Sequence, residues 1–342
     1  DISDCQSIRN GHVQHTAPFM GGGGGPAGWG GAIAVVPYEM YKIYGDKETF
    51  RRYLPKILRY FDYLDSRSSG GLVCREEEGG WCLGDWCPPE QITICEPFVN
   101  TALYVKQMMM TKEASEAIGE SETAAMLEKR IEEKKQAILN AYYSPQTGSF
   151  IGDAQGANSF AVDIGLGGER AFNNTKKKYD AADAFDTGIF GTDILTRVLF
   201  ERGCADTAFH LLTSTGKGSF YNMKKQGATT IWENWDGERS HSHPMFGAVT
   251  RYLFSFILGI TQEKNSAGYE KIVIAPQIPD GLNRASGHIT TVRGKIAVSF
   301  IRTEREMDFY VTVPQKAWLT YGSDCEYELW EGENHIHIDF EE

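Results

Sequence analysis

Several common kinds of protein machinery are missing from this 342-residue sequence. No apolar run reaches the length of a membrane-spanning helix. No Gly-x-Ser-x-Gly elbow is present, which excludes the usual serine-hydrolase arrangement. The glycine run Gly21–Gly25 is not followed by a Lys-Ser/Thr pair, so it is no phosphate-binding P-loop. The seven cysteines are odd in number and lack the close pairs of a zinc site. Cys82 and Cys87 are spaced for a small disulfide loop, but free buried thiols are the favoured reading, which leans toward a reducing, cytoplasmic compartment. Basic surface is scarce as well. The net charge is −12, and Lys176-Lys177-Lys178 reads as a solvated helix face, so neither nucleic acid nor an anionic membrane is an expected partner. No signal-peptide pattern is seen, and the opening Asp1-Ile-Ser-Asp-Cys5 reads as the start of a trimmed segment.

What the chain does have is a globular composition with 12% aromatic residues, enough for one large domain or two ordinary ones. Phe50, Tyr53, Leu54, Ile57, Leu58, Phe61 and Leu64 recur at three and four residues, the stripe of an amphipathic helix, with Asp46 placed as its N-cap. Residues 122–142 form a second helical stretch. Others are expected near 32–44, 96–111, 157–166, 169–179, 189–202, 205–214 and 244–259, with Pro37 kinking or shifting the first. Beyond residue 262 the period becomes two. Ile272 and Ile274 alternate with other residues, as do Ile296, Val298 and Phe300, and Phe309, Val311 and Val313. His335, His337 and Asp339 sort opposite Ile336, Ile338 and Phe340. The expectation is about ten helices over residues 1–262, a linker near 261–269, and six to eight antiparallel strands over 263–342.

The chemistry-bearing residues sit in the connections. A carboxylate lies between two indoles in Ile231-Trp232-Glu233-Asn234-Trp235. Aromatic faces stack on the apolar face of a pyranose, and a nearby carboxyl can move protons. A solvated turn that happens to hold two tryptophans is the alternative. Leu83-Gly84-Asp85-Trp86 pairs an acid with an indole again, and Gly28-Trp29-Gly30-Gly31 sets a tryptophan among glycines. Each has a plain structural alternative, an Asp turn or a packed core ring. Phe185-Asp186-Thr187-Gly188 reads first as a helix N-cap. His241 and His243 are too little for a metal site on their own, and no metal or cofactor is expected. A hydrogen bond from His243 to a sugar hydroxyl or to Glu233 is the better reading.

These residues carry a family resemblance. Gly227-Ala-Thr-Thr-Ile-Trp-Glu233-Asn-Trp235 resembles the signature of the bacterial α-L-rhamnosidase family of glycoside hydrolases. Gly28-Trp29-Gly30, Pro37-Tyr38, Tyr44-Gly45-Asp46, Gly84-Asp85-Trp86, Thr187-Gly188-Ile-Phe190-Gly191-Thr192 and His243 with Gly247-Ala248-Val249 follow the same order. The resemblance implies an (α/α)6 toroid followed by a small β-sandwich, and inverting hydrolysis of terminal α-L-rhamnose. Glu233 would be the general base, with Trp29, Asp85, Trp86, Trp232, Trp235 and His243 lining the sugar pocket. The family's general acid stands in a motif upstream of its Gly-Trp-Gly-Asp segment. Here Gly31 replaces that Asp, and residues 1–28 hold no such motif. The chain is therefore expected to be the C-terminal portion of a larger enzyme. Two competitors are another (α/α)6 enzyme, such as a phosphorylase or glucan hydrolase, and a carbohydrate-binding protein without catalysis.

Overall fold

The computed structural model describes residues 1–18, 24, 27–75, 77, 84–322 and 325–340. Four helical hairpins follow one another: α1 (Ala32–Tyr44) with α2 (Lys47–Ser66), α3 (Glu96–Ile118) with α4 (Ser121–Tyr142), α5 (Ala157–Asp163) with α6 (Gly168–Asp180), and α7 (Ile189–Glu201) with α8 (Ala205–Leu212). A short helix α9 (Phe220–Lys225), which no hydrophobic period announces, precedes the Trp-Glu segment. A last helical rod is a 3-10 turn (Met245–Val249), an α turn (Thr250–Tyr252) and a π turn (Leu253–Ile257) in succession.

Patterning decides which helix of a hairpin lies inside. α3 buries Phe98, Val99, Ala102, Tyr104, Val105 and Met108, residues spread around its circumference. α4 buries one stripe, Leu127, Ile131 and Ile138, and exposes charge elsewhere. Accordingly α1, α3, α5, α7 and the final rod pack side by side as an inner series, each odd helix backed by its even partner. This is the arc of an (α/α)6 toroid. α2 begins where expected, since the Asp46 carboxylate accepts a hydrogen bond from Thr49 N at 2.9 Å. Pro37 is buried inside α1, and the helix runs through it without interruption. Among the described residues Cys5, Cys74, Cys87, Cys95, Cys204 and Cys325 are free thiols. Cys82 lies outside those residues.

Two minor hairpins, β1 (Ser68–Ser69) with β2 (Leu72–Val73) and β3 (Tyr143–Ser144) with β4 (Ser149–Phe150), decorate the helical region. The C-terminal module has two four-stranded sheets. One is ordered β11 (Cys325–Leu329), β10 (Ala317–Tyr321), β6 (Ile272–Ile274), β5 (Ile260–Gln262). The other is β12 (Gly332–Asp339), β9 (Glu306–Val313), β8 (Gly294–Arg302), β7 (Arg284–Thr291). Ile296, Val298, Phe300, Phe309, Val311, Val313 and Leu319 are buried, as the period-two reading requires. The expectation of a wholly antiparallel module needs one correction: β6 and β10 pair in parallel, Leu319 opposite Ile274. The long excursion through the second sheet returns β10 alongside β6 in the same sense. Strand pairing begins at Ile260, on the helical side of the boundary read at residue 262.

Candidate active site

Glu233 lies in the loop between α9 and the last rod, and that loop folds back on itself. Glu233 N donates to Ser240 O at 2.9 Å and His243 N to Ile231 O at 2.9 Å, so residues 231–233 and 240–243 run as a pinched pair. The carboxyl of Glu233 is half-buried and held at both oxygens. Trp86 Nε1 donates to Oε1 and Ser240 N to Oε2, each at 3.3 Å. The Arg239 guanidinium rests 4.8 Å from the Trp86 ring centre, a cation–π contact on the indole that orients Glu233. The two Trp-acid loops, 147 residues apart in sequence, thus meet at one carboxyl.

Asp85 fixes the other side. It is fully buried, and its carboxylate accepts from Gly188 N at 2.7 Å and Gly191 N at 2.9 Å, capping the N-terminus of α7. Ile189 N in turn donates to Trp86 O at 2.8 Å. This packing explains the glycines of Thr187-Gly188-Ile-Phe190-Gly191. A Cβ at Gly188 would stand 2.3 Å from Trp86 O, and one at Gly191 would stand 2.4 Å from the Asp85 carboxylate. Burial pushes the Asp85 carboxyl up to about 7, against the opposing pull of the backbone donors of Gly191, Gly188 and Phe190. Asp186, expected to cap this helix, instead accepts from Tyr179 Oη at 2.6 Å and pairs with Lys178 at 2.7 Å.

Three expected sugar contacts require correction. Asp85 is fully spent on the α7 cap and presents no surface. Trp235 is 1% exposed, walled in by Phe185, Phe220 and Phe246, and its Nε1 donates to Thr187 O at 3.1 Å. Trp232 is 5% exposed, with the His241 ring stacked on it at 4.4 Å. An indole whose faces are occupied cannot stack on a pyranose, so these residues build the loop rather than the pocket wall. Trp29, Trp86 and His243 remain half-exposed. His243 Nδ1 is buried with no hydrogen-bond partner among the described residues. Trp29 stands against Phe190 at 4.7 Å, so a continuous path runs Glu233, Trp86, the α7 N-terminus, Phe190, Trp29.

Trp29 and Phe190 belong to the wall of a cavity of about 670 Å³ enclosed by α1, α3, α5, α7 and the last rod. Glu233 is not among its lining residues; Pro244 and Met245, just past His243, are. Deeper in, Asp163 accepts from Lys106 at 2.8 Å and Arg197 at 2.5 Å. Burial opposes its ionisation, but Arg197 and Lys106 prevail and hold it below the ordinary value. Glu39 in the same cavity is pushed up by burial, against the attraction of Arg251 and Arg197. The sequence offered no sign of this polar interior, since its members are single charges on apolar helices. Gly31, standing where the resembling family has Asp, faces the Gln107 side-chain amide: a Cβ would lie 2.0 Å from it, so a larger residue there requires Gln107 to move.

A series of helical hairpins laid side by side, with a carboxyl and indoles on the loops before the inner helices, defines a protein of the helical-hairpin toroid class. The chain matches the family model described as the bacterial alpha-L-rhamnosidase 6 hairpin glycosidase domain over residues 1–257, and it belongs to that family. Residues 259–320 match the bacterial alpha-L-rhamnosidase C-terminal domain. An alpha-L-rhamnosidase of Alteromonas sp. (strain LOR) is 26% identical over 84% of this chain and 33% of its own length. One from Streptomyces avermitilis is 28% identical over 87% of the chain and 29% of its own. The chain therefore spans about a third of the length of these relatives. In fold, it resembles the structure of the Streptomyces avermitilis alpha-L-rhamnosidase complexed with L-rhamnose, with a TM-score of 0.85 at 23% identity, over 99% of this chain and 35% of that one. The alpha-L-rhamnosidase from Dictyoglumus thermophilum gives 0.87 at 18% identity, over 99% and 43%.

Proposed function

We propose that this chain carries the general-base half of an inverting glycosidase that removes terminal α-L-rhamnose, with Glu233 as the base. The observation that carries the reading is the carboxyl of Glu233, fixed by Trp86 Nε1 and Ser240 N on a loop before an inner helix of the toroid. Both contacts are N–H donors to its oxygens, so the group is oriented to accept a further proton. A water beside it would lose that proton as it attacks the anomeric carbon from the face opposite the leaving group. In such pairs the two carboxyls stand about 6.5–9.5 Å apart to admit the water. The resemblance puts the acid that protonates the leaving oxygen upstream of the Gly-Trp-Gly segment. Trp29, Trp86 and His243 are the exposed candidates for holding the sugar, the indoles suiting the apolar ring face and the rhamnose methyl group.

The test is turnover of an aryl α-L-rhamnoside by the full-length protein, with proton NMR of the first product. Wild type should release the β-anomer first. Glu233→Gln should lower kcat by about 10²–10⁴-fold with rhamnose binding retained. Near-normal turnover would remove Glu233 from the role, and first release of the α-anomer would remove inversion. Phosphate-dependent product formation would favour a phosphorylase. Binding without hydrolysis by the wild type would favour a lectin-like protein.

A further inference from the structure

The C-terminal sheet carries a cluster unrelated to the Glu233 site. β12 is an edge strand paired with β9, which sets His337 opposite Asp308 and Asp339 opposite Glu306. All four side chains lie on the outer face. Two carboxylates directly opposite on neighbouring strands repel each other unless positive charge lies between them. Among the described residues Glu306 has no ion pair, and Asp339 pairs only with His337. Arg305, in the turn before β9, is exposed and forms no ion pair among the described residues.

The imidazole of His337 faces a carboxylate through each nitrogen. Nδ1 is 3.0 Å from Asp308 Oδ1 and Nε2 is 3.2 Å from Asp339 Oδ1. A neutral imidazole has one N–H and one lone pair. With Nδ1–H donated to Asp308, the Nε2 lone pair would face the negative Asp339. A cation at Nε2 would turn that repulsion into attraction shared by the ring and the carboxylate.

We propose that His337 Nε2, a Glu306 carboxylate oxygen and an Asp339 carboxylate oxygen form a binding site for a divalent transition-metal ion of zinc's type. One donor atom from each of these three residues lies within 4.8 Å of the others. Ligands about 2 Å from a zinc ion at tetrahedral angles are roughly 3.3 Å apart, a spacing the His337–Asp339 pair already has at 3.2 Å. One nitrogen and two carboxylate oxygens are a zinc-type donor set, leaving a coordination position to water. Asp308 acts on the far side of the ring: it receives Nδ1–H, fixes the tautomer and so presents the Nε2 lone pair to the metal. His335 also contacts Asp308, at 2.7 Å, but is stacked on Tyr310 and is no ligand. The bound ion would join the C-terminal edge strand β12 to β9, replacing carboxylate repulsion by shared coordination.

Titration calorimetry with ZnCl2 on the 342-residue chain at about pH 7.5 tests the site. Comparison among variants separates it from zinc held by the free cysteines. Wild type should take up one equivalent of zinc more than His337→Ala. Asp308→Ala should weaken that equivalent about 10–100-fold. His335→Ala should keep it within about twofold, since the three ligands remain. The replaced side chains are exposed or partly exposed, and melting without metal should be alike in all four proteins. Zinc should raise the melting temperature of wild type more than that of His337→Ala. Equal uptake and affinity in wild type and His337→Ala would overturn the proposal. Loss of the equivalent in His335→Ala would overturn this choice of ligands.

Discussion

Individual side chains in this protein take their roles from what already occupies their surroundings. Of the acids and indoles that stand out in the sequence, Glu233 and Trp86 are joined at 3.3 Å, whereas Asp85, Trp232 and Trp235 are consumed by packing. Residue type says that an indole suits a sugar or a core equally well, and only the neighbours decide. Phe185, Phe220 and Phe246 around Trp235 could not be known from its own segment. The Trp86 indole N–H is the direct check on how Glu233 is oriented. Trp86→Phe removes that donor while keeping the ring's apolar body, so kcat on an aryl α-L-rhamnoside should fall about 10–100-fold. This follows because a hydrogen bond to a charged group contributes about 1.5–3 kcal/mol. Steady-state kinetics with the melting temperature measured alongside would separate this from loss of fold.

At the level of elements, the start of α7 does most to assemble the site. Its cap comes from Asp85, 103 residues before Gly188, rather than from the adjacent Asp186. Local reading finds the Gly-x-x-Gly pattern but cannot find a cap supplied from another hairpin. The reason for the glycines appears only when the 85–86 backbone is seen lying on them. The buried carboxyl also makes a pH prediction. Its folded pKa of about 7 lies above the ordinary value of 3.8, so between these values the folded chain holds a proton that the unfolded chain has released. Stability therefore falls as pH rises from about 4 to about 7, by at most about 1.4 kcal/mol per pH unit from this group. Urea unfolding of wild type and Asp85→Asn over that range should give a difference curve with this slope, flat above pH of about 8. A difference curve that rises with pH would mean that the helix-end donors outweigh burial.

Across the whole molecule, the helical arc and the β module are fastened at the C-terminal end of α1. Lys42 Nζ donates to Lys264 O at 2.9 Å, to Ser266 O at 3.0 Å and to Glu113 at 2.9 Å. Its backbone carbonyl accepts from Gln262 Nε2 and Gly268 N, both at 2.9 Å. Phe256 of the last rod stacks on Phe200 of α7 while its carbonyl accepts from Gln277 N. Lys42→Met keeps the stem and removes three bonds, leaving Glu113 with only Tyr38 as a hydrogen-bonding neighbour among the described residues. That should cost about 1–3 kcal/mol and lower the calorimetric melting temperature by about 1.5–4 °C.

Hydrophobic period by itself determined α2, the switch to strands near residue 262 and the inward faces of β8 and β9, because burial imposes a repeat of 3.6 or 2 on any segment packed on one side. The Trp-Glu-Asn-Trp motif likewise marked the loop that carries the candidate base. Tertiary structure alone decided which acids and indoles meet, that Asp85 caps α7, that β6 and β10 run in parallel, and that His337 is caught between carboxylates of two strands. Those outcomes depend on contacts between residues far apart in sequence, and a local pattern holds no record of what will be packed against it.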